Sequence, residues 1–511
     1  MKQINPILRM DYPDPDVIRV DDTYYMVSTT MHFFPGGALL KSHNLVDWEL
    51  IGYLFDKLDD TQGEKLEREQ VNYGQGMWAP CIRFHEGCFY VIFGSHTGEG
   101  CTHLYISDSI DGPWEHRVFD TYFHDCSLLF DDDGRVYLVY GNRQIYIQEL
   151  EADLSGIKTD GLSKIIIEDA PDVPLGYEGS HIQKIDGKYY VFMIHWPKDK
   201  CRTEACFRAD SLDGEFVGKD VLQNDRGFYG MGVAQGCIVD TPDGKWYGVF
   251  FQDSGAVGRI PVLTTVRWEE GWPIFGNDGV VSDEFEVPEG VSDYKYEPLY
   301  TSEFSDDYTV ESPGLKLQWQ WNHRPDNRLW SITQDKKLCI STDKLSINVT
   351  HAKNILTQRM LFPGCIATVT VDASMLNDGD YAGICALQSC YGLLAVSKIA
   401  GRYHLHEMVR TDETLKYSPA TGDCMPGEIV ESVVLDGPVV KLRLIAEFGR
   451  LKDTLNFYYE NADGRFVKVG AAHKMYFRLD HFTGNRFGLF VYSTRMTGGT
   501  AVFKNFSYLP G

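Results

Sequence analysis

The sequence predicts an all-β chain: a five-bladed β-propeller followed by a β-sandwich. Three observations carry this expectation. A hairpin motif recurs five times in the first half of the chain. Aromatic residues make up 13% of the 511 residues and glycines number 49, a mix that favours strands and tight turns. Residues 1–290 contain no long stretch with the apolar spacing of an amphipathic helix.

The five hairpins are "VDDTYYMVS", "HEGCFYVIFG", "DDDGRVYLVYG", "IDGKYYVFM" and "TPDGKWYGVFF". Each combines a Gly or Asp turn with a strand bearing paired aromatics. Their second aromatics are Tyr25, Tyr90, Tyr137, Tyr190 and Tyr247, separated by 65, 47, 53 and 57 residues. Repeats of that size, each ending in a hairpin, fit one four-stranded blade apiece. A second echo, "SHNLVDWELIG", "SDSIDGPWEHR" and "ADSLDGEFVGK", supplies turns and outer strands.

A fixed offset within each repeat selects one residue per blade. Twelve residues before Tyr90, Tyr137, Tyr190 and Tyr247 stand Trp78, Asp125, Glu178 and Gln235, and eleven before Tyr25, whose hairpin is tighter, stands Asp14. In a propeller the strand before such a hairpin is innermost, so these side chains are expected to ring the axis at one height. Asp16 shares the strand face of Asp14, and Asp11 falls in the loop leading in. Alternation cannot rank Asp14 above Asp16; the offset across blades does.

A lone acid near a turn is usually a cap or a solvated loop end. Three acids converging on one axis are different, because confined like charges raise one another's pKa and leave some groups protonated. One acid beside one carboxylate is what glycosidic-bond cleavage requires, and Trp78 offers a face for a sugar ring. Two alternatives stand beside this reading. Axial carboxylates could hold calcium, although Trp78 and Gln235 make a sparse oxygen shell. A sugar-binding propeller without catalysis is the other.

At these residues the chain resembles glycoside hydrolase family 43, in its two-domain β-xylosidase and α-L-arabinofuranosidase group. The resemblance rests on "NPILRMDYPDPDVIRVDDTYYM", "FFPGGALLKSHNLVDWELIG", "MWAPCIRFHEGCFYV", "HDCSLLFDDDGRVYLVYG", "YEGSHIQKIDGKYYVF" and "AVGRIPVL…VRWEEGWP", which cover nearly all of residues 5–275. It implies a five-bladed propeller and an inverting mechanism. Asp14 matches the general base, Asp125 the carboxylate that orients the acid and adjusts its pKa, and Glu178 the general acid. It further implies that Trp78 walls the pocket and that Arg259 of "VGRIP" contacts substrate hydroxyls. Gln235 departs from a His common among relatives and is a poor transition-metal ligand. Phe33 and Phe34 are candidates for the pocket wall, with a place in the core as the alternative. No residue is assigned to a metal and no cofactor is required; calcium on the axis stays an alternative.

The propeller is expected over residues 1–285, a linker rich in acids, Pro and Gly over 286–305, and the sandwich over 306–511. "QWNHRPDN" and "NILTQRM" resemble the concanavalin-like sandwich of the same enzyme group. Its expected role is to brace the propeller, with subunit contacts in a homo-oligomer or a loop over the pocket as further candidates. A net charge of −25 speaks against nucleic acid or anionic membrane as partner. No run approaches the roughly 18 apolar residues of a membrane span, and the first residues lack the apolar core of a signal peptide. The twelve cysteines form no CxxC pair or zinc-like cluster and read as reduced thiols of a cytoplasmic protein. The expected activity is removal of terminal β-1,4-linked D-xylose from xylo-oligosaccharides. Release of α-L-arabinofuranose from arabinoxylan or arabinan fragments is the alternative.

Overall fold

The computed structural model describes residues 4–228, 230–287, 290, 294–305, 314–449 and 452–511. Five antiparallel four-stranded sheets follow one another along the first half of the chain. Blade I comprises Asp16–Val20, Thr23–Ser28, Gly36–Ser42 and Glu49–Phe55. Blade II comprises Met77–His85, Cys88–Ser95, Cys101–Ser107 and Glu115–Phe119, and blade III Ser127–Phe130, Val136–Asn142, Gln144–Leu150 and Ser163–Glu168. Blade IV runs through Leu175–Ile185, Lys188–Trp196, Thr203–Ala209 and Val217–Leu222, and blade V through Ala234–Asp240, Trp246–Asp253, Arg259–Glu269 and Trp272–Phe275. The five tyrosines of the repeat each lie on the second strand of a blade.

The period-2 geometry of a strand explains why these second strands are apolar on both faces. Val91 packs into the core between blades I and II, whereas the adjacent Ile92 packs between blades II and III. Tyr137 and Val139 face blade IV while Val136 and Leu138 face blade II. Alternate side chains point to opposite neighbours, so every blade is clamped from both sides. The outer strands lose this constraint. Glu115–Phe119 and most of Val217–Leu222 are exposed or half-buried.

The segment preceding blade I runs beside blade V. Asn5 donates from Nδ2 to the Leu263 carbonyl at 2.7 Å, and the Tyr12 N–H donates to the Arg259 carbonyl at 3.1 Å. The stretch carrying Asp11 and Asp14 is thereby laid against Arg259.

The second half forms an eight-stranded and a seven-stranded antiparallel sheet. Alternation again sets the core: in Val439–Glu447, Val440, Leu442, Leu444 and Ala446 point inward. These residues share one continuous core with Val17, Tyr24, Met26 and Leu40 of blade I and Val239 and Val249 of blade V. Two three-residue 3-10 turns, Gly255–Val257 and Val349–His351, interrupt the strands, and no helix among the described residues is long and apolar enough to cross a membrane.

Phe33 and Phe34 do not wall the pocket, which corrects one sequence expectation. They form a two-residue strand that pairs with Gln320–Asn322 and completes the edge of the eight-stranded sheet. They are 1% and 3% exposed, and the Arg486 guanidinium lies 3.5 Å from the Phe33 ring centroid. The cause is backbone pairing: the edge strand of the sandwich offers free N–H and C=O groups, and the apolar pair fills the space between the domains.

Within the expected linker, residues 288–289 and 291–293 lie outside the described residues, as do 306–313 at the expected start of the sandwich. The described part leans on blade I. The His43 N–H donates to the Tyr296 hydroxyl at 2.9 Å, and the Glu297 N–H donates to Glu49 Oε2 at 3.3 Å.

Candidate active site

The five residues selected by the repeat offset sit at or just before the starts of the inner strands, where the ladders are irregular. Register shifts occur around Trp78, on both sides of Glu178 and at Gln235. Asp14, Asp125 and Gln235 adopt left-handed backbone conformations, with φ of 52°, 45° and 57°. Bulges and left-handed residues re-aim a side chain that regular pairing would point into a blade interface. Such conformations cost energy and need outside support. At Gln235 the support is Glu204, whose buried carboxyl accepts the Gln235 N–H at 2.8 Å. At Glu178 it comes from Gly179, with φ of 65°: a Cβ there would lie 2.6 Å from Gln235 Cγ. Its N–H donates to Asp125 Oδ2 at 3.0 Å.

The three aspartates of the opening stretch have three different fates. Asp14 is 4% exposed and forms an ion pair with Arg259, Oδ1 to Nη1 at 2.9 Å. Burial pushes its carboxyl above the usual range, and the Arg259 guanidinium opposes that push. Asp11 secures Arg259 from behind, since its Oδ1 accepts the Arg259 N–H at 2.8 Å and its Oδ2 accepts the Gly484 N–H at 2.9 Å. Asp16 points into the propeller interior. Burial would raise its pKa, but Arg83 Nη1 at 2.8 Å and His181 Nδ1 at 3.2 Å hold it well below the carboxylate range.

Asp125 and Glu178 meet around a residue the offset did not select, His124. Its Nε2 lies 3.2 Å from Glu178 Oε2 and 3.6 Å from Asp125 Oδ2. Burial opposes charge on the imidazole, yet the two carboxylates outweigh it and bring its pKa to about 9. Burial drives Asp125 up to about 7, with the charge of Glu178 adding to the rise and His124 opposing it. Asp125 is therefore partly protonated near neutral pH. Asn142 donates from Nδ2 to Glu178 Oε2, and the Tyr122 hydroxyl lies 3.0 Å from His124 Nδ1. Glu178 keeps 19% of its side chain exposed against 6% for Asp125. Glu178 is the carboxyl a ligand can reach.

Trp78 is half-buried, with its ring 4.7 Å from His96, 5.9 Å from His124 and 5.6 Å from Phe482. Phe482 belongs to the sandwich. Its carbonyl accepts from Arg259 Nη2 at 3.3 Å, and the guanidinium lies 4.4 Å from its ring centroid. The second domain thus contributes a side chain to the site. The structure brings Asp14, Trp78, Asp125, Glu178, Gln235 and Arg259 together, leaves Phe33 and Phe34 elsewhere, and adds His124, Asn142 and Phe482. The histidine adjoins Asp125 in "FHDC", and that adjacency to an axial acid is its only signal in the sequence. Phe482 carries no local signal, because its partner is 223 residues away.

Comparison with known proteins agrees with this architecture. Residues 4–273 match the family model described as glycosyl hydrolases family 43, and residues 305–509 match the β-xylosidase C-terminal concanavalin A-like domain. A β-xylosidase of Formosa agariphila is 30% identical over 364 residues, covering 65% of this chain and 60% of that enzyme. A non-reducing end α-L-arabinofuranosidase of Bacteroides ovatus is 26% identical over 445 residues, covering 82% of this chain and 81% of the relative. Among solved structures, a bifunctional GH43-CE protein of Bacteroides eggerthii superposes with a TM-score of 0.89 at 37% identity, over 99% of this chain and 64% of that one. The chain thus spans less than two thirds of the Formosa and Bacteroides eggerthii proteins. An engineered GH43 enzyme with endo-xylanase and exo-arabinofuranosidase activity superposes at 0.87 with 26% identity over 99% of both chains. With more than half of its length matched to the propeller model and the second domain matched to the family's sandwich, the chain belongs to glycoside hydrolase family 43.

Proposed function

We propose that the chain is an exo-acting glycosidase that removes terminal β-1,4-linked D-xylose from xylo-oligosaccharides with inversion. The observation that carries this reading is the division of the acids. Glu178 is solvent-reachable and coupled to Asp125 through His124, whereas Asp14 is buried against Arg259. Glu178 would give a proton to the leaving oxygen, with Asp125, which burial holds partly protonated near neutral pH, beside it. Asp14, ion-paired with Arg259, would take a proton from the water attacking the opposite face of the sugar. Asp125, with its backbone bonded to Ser180 and its carboxyl to Gly179, orients Glu178 and adjusts its proton affinity. Trp78 and Phe482 supply apolar surface for one sugar ring, which suits attack at a chain end.

The names of the relatives also favour release of α-L-arabinofuranose. Initial rates on nitrophenyl β-D-xylopyranoside and nitrophenyl α-L-arabinofuranoside separate the two readings. Proton NMR of the first product from the xyloside should show α-xylose; β-xylose would overturn inversion. Affinity for xylobiose without turnover of either substrate would make the chain a binding protein.

We read the axis as unsuited to calcium. Asp14 is paired with Arg259, Asp16 lies against Arg83 and His181, and Asp125 and Glu178 share His124, which is not the hard-oxygen shell calcium takes. Turnover unchanged by chelator is the expected result. The twelve cysteines are all unpaired, which supports work in a reducing compartment such as the cytoplasm; cell fractionation tests this.

A further inference from the structure

Outside the sugar site, three side chains with metal-binding atoms converge on blade II. Cys101 and His103 are two residues apart on the strand Cys101–Ser107, so both point to one face, and Asp59 reaches them from the connection between blades I and II. His103 Nε2 lies 3.3 Å from Cys101 Sγ and 3.1 Å from Asp59 Oδ1, and Sγ lies 3.7 Å from the same oxygen. We propose that Asp59, Cys101 and His103 form a zinc-type metal site that clips the blade I–II connection onto blade II.

The triangle has the dimensions of one face of a tetrahedral zinc centre. Zinc bonds of about 2.3 Å to sulfur and about 2.0 Å to nitrogen and oxygen, set at tetrahedral angles, place the donors about 3.3–3.6 Å apart. An ion placed above the triangle reaches all three donors with small adjustments. Thiolate, imidazole and carboxylate together suit zinc better than calcium or magnesium. Cys101 and Asp59 are half-buried, which leaves the fourth position to water.

The surrounding groups orient these donors. His103 is 1% exposed, and its Nδ1 sits 2.8 Å from His116 Nε2. That bond occupies one ring nitrogen and turns the other toward Cys101 and Asp59. The Ser95 hydroxyl donates to Asp59 Oδ2 at 2.5 Å, leaving Oδ1 to face the cluster. A second nitrogen held by a protein partner and a hydrogen-bonded carboxylate are the supports that metal ligands characteristically have. Cysteine binds a metal as its thiolate, so binding releases the thiol proton to solvent.

The test uses the full-length protein, reduced and stripped with chelator, and titrates it with Co2+ and then Zn2+. The expected result is one Co2+ per chain with a thiolate-to-cobalt charge-transfer band, displaced by Zn2+. Calorimetry with Zn2+ in buffers of different ionisation enthalpy should show release of one proton per ion. Cys101→Ser should abolish the band. His116→Ala should weaken Zn2+ binding by about 10–100-fold. Glu178→Gln should bind as the wild type does, because the His124–Asp125–Glu178 trio is a separate cluster. Zn2+ should also protect Cys101 of the wild-type chain from alkylation while leaving the exposed Cys424 reactive. This readout holds even where a variant does not fold. A band that survives Cys101→Ser, binding lost in Glu178→Gln, or alkylation of Cys101 at saturating Zn2+ would overturn the site.

Discussion

Arg259 Nη1 holds Asp14 Oδ1 at 2.9 Å inside the protein, with both side chains at most 5% exposed. The same arginine is anchored by Asp11 through its backbone and capped by Phe482 of the second domain. This pair opposes the push of burial toward a protonated Asp14, the proposed base. Replacing Arg259 with Met should leave a buried carboxylate unpaired, at a cost of about 3–5 kcal/mol in stability. The acid limb of the kcat/KM profile should move to higher pH, because the group lowering the Asp14 pKa is gone. Melting curves and pH–rate profiles check both; an unmoved acid limb would separate Asp14 from that limb.

Glu178→Gln and Asp14→Asn should each lower kcat by about 10²–10⁴-fold while leaving the melting temperature within a few degrees. Each removes a proton-transfer group and keeps the shape of the side chain. A variant with full activity removes that residue from the proposed mechanism.

His124 lies between the two carboxyls as a cation and lowers the proton affinity of Asp125. In His124→Ala the Asp125 carboxyl should hold its proton more tightly, so the limb of the profile that Asp125 governs shifts to higher pH. The rate on the plateau should fall by up to about a hundredfold through loss of Glu178 positioning. A merely structural histidine would lower the rate without moving the limb.

Phe482 is a contact of the sandwich with the proposed sugar site. Phe482→Ala should cost about 0.5–1.5 kcal/mol of packing on Trp78 and Arg259, seen as a drop in kcat/KM of roughly up to tenfold. Residues 1–285 expressed alone should aggregate, since they expose the blade I and blade V part of the shared core. Light scattering and soluble yield measure this.

The domain junction should make the protein acid-sensitive. His32, His323 and His481 cluster with Tyr73, and Tyr73 stacks on His481 at 3.7 Å. Burial, joined by neighbouring positive groups, pushes all three imidazoles well below the usual range. They stay neutral when folded, whereas the unfolded chain protonates them below about pH 6.5. The unfolded state then binds more protons, and stability falls as pH drops through that value. Six carboxyls that burial raises, Asp14, Asp125, Glu204, Asp380, Glu407 and Asp453, pull the other way, against eight histidines that burial lowers: these three with His96, His116, His351, His406 and His473. The melting temperature should fall from pH 7 to 5, and His32→Leu should flatten that slope. An unchanged slope would place the sensitivity elsewhere.

The repeats and the axial acids were both legible in the sequence, for one reason. A propeller writes the same hairpin in every blade, so counting back twelve residues from Tyr90, Tyr137, Tyr190 and Tyr247, and eleven from Tyr25 with its tighter hairpin, finds equivalent positions. Asp14, Asp125 and Glu178 are three of those five positions, and Asp14 and Asp16 point to different surroundings in three dimensions. An offset that selects one position per blade also passes over its neighbours. His124 stands one residue from a selected position, and Asn142 lies at the end of a second strand.

What the sequence alone determined is the strand periodicity, the five repeats and the three axial acids, all of which are local or periodic properties of the chain. Only the tertiary structure decided which acid is buried, which is reachable and which cation neutralises it. Those properties belong to contacts such as Arg259 with Asp14, 245 residues apart. It also moved Phe33 and Phe34 from the pocket to the sandwich edge, because a two-residue apolar segment has no period and takes its place from the strand that pairs with it.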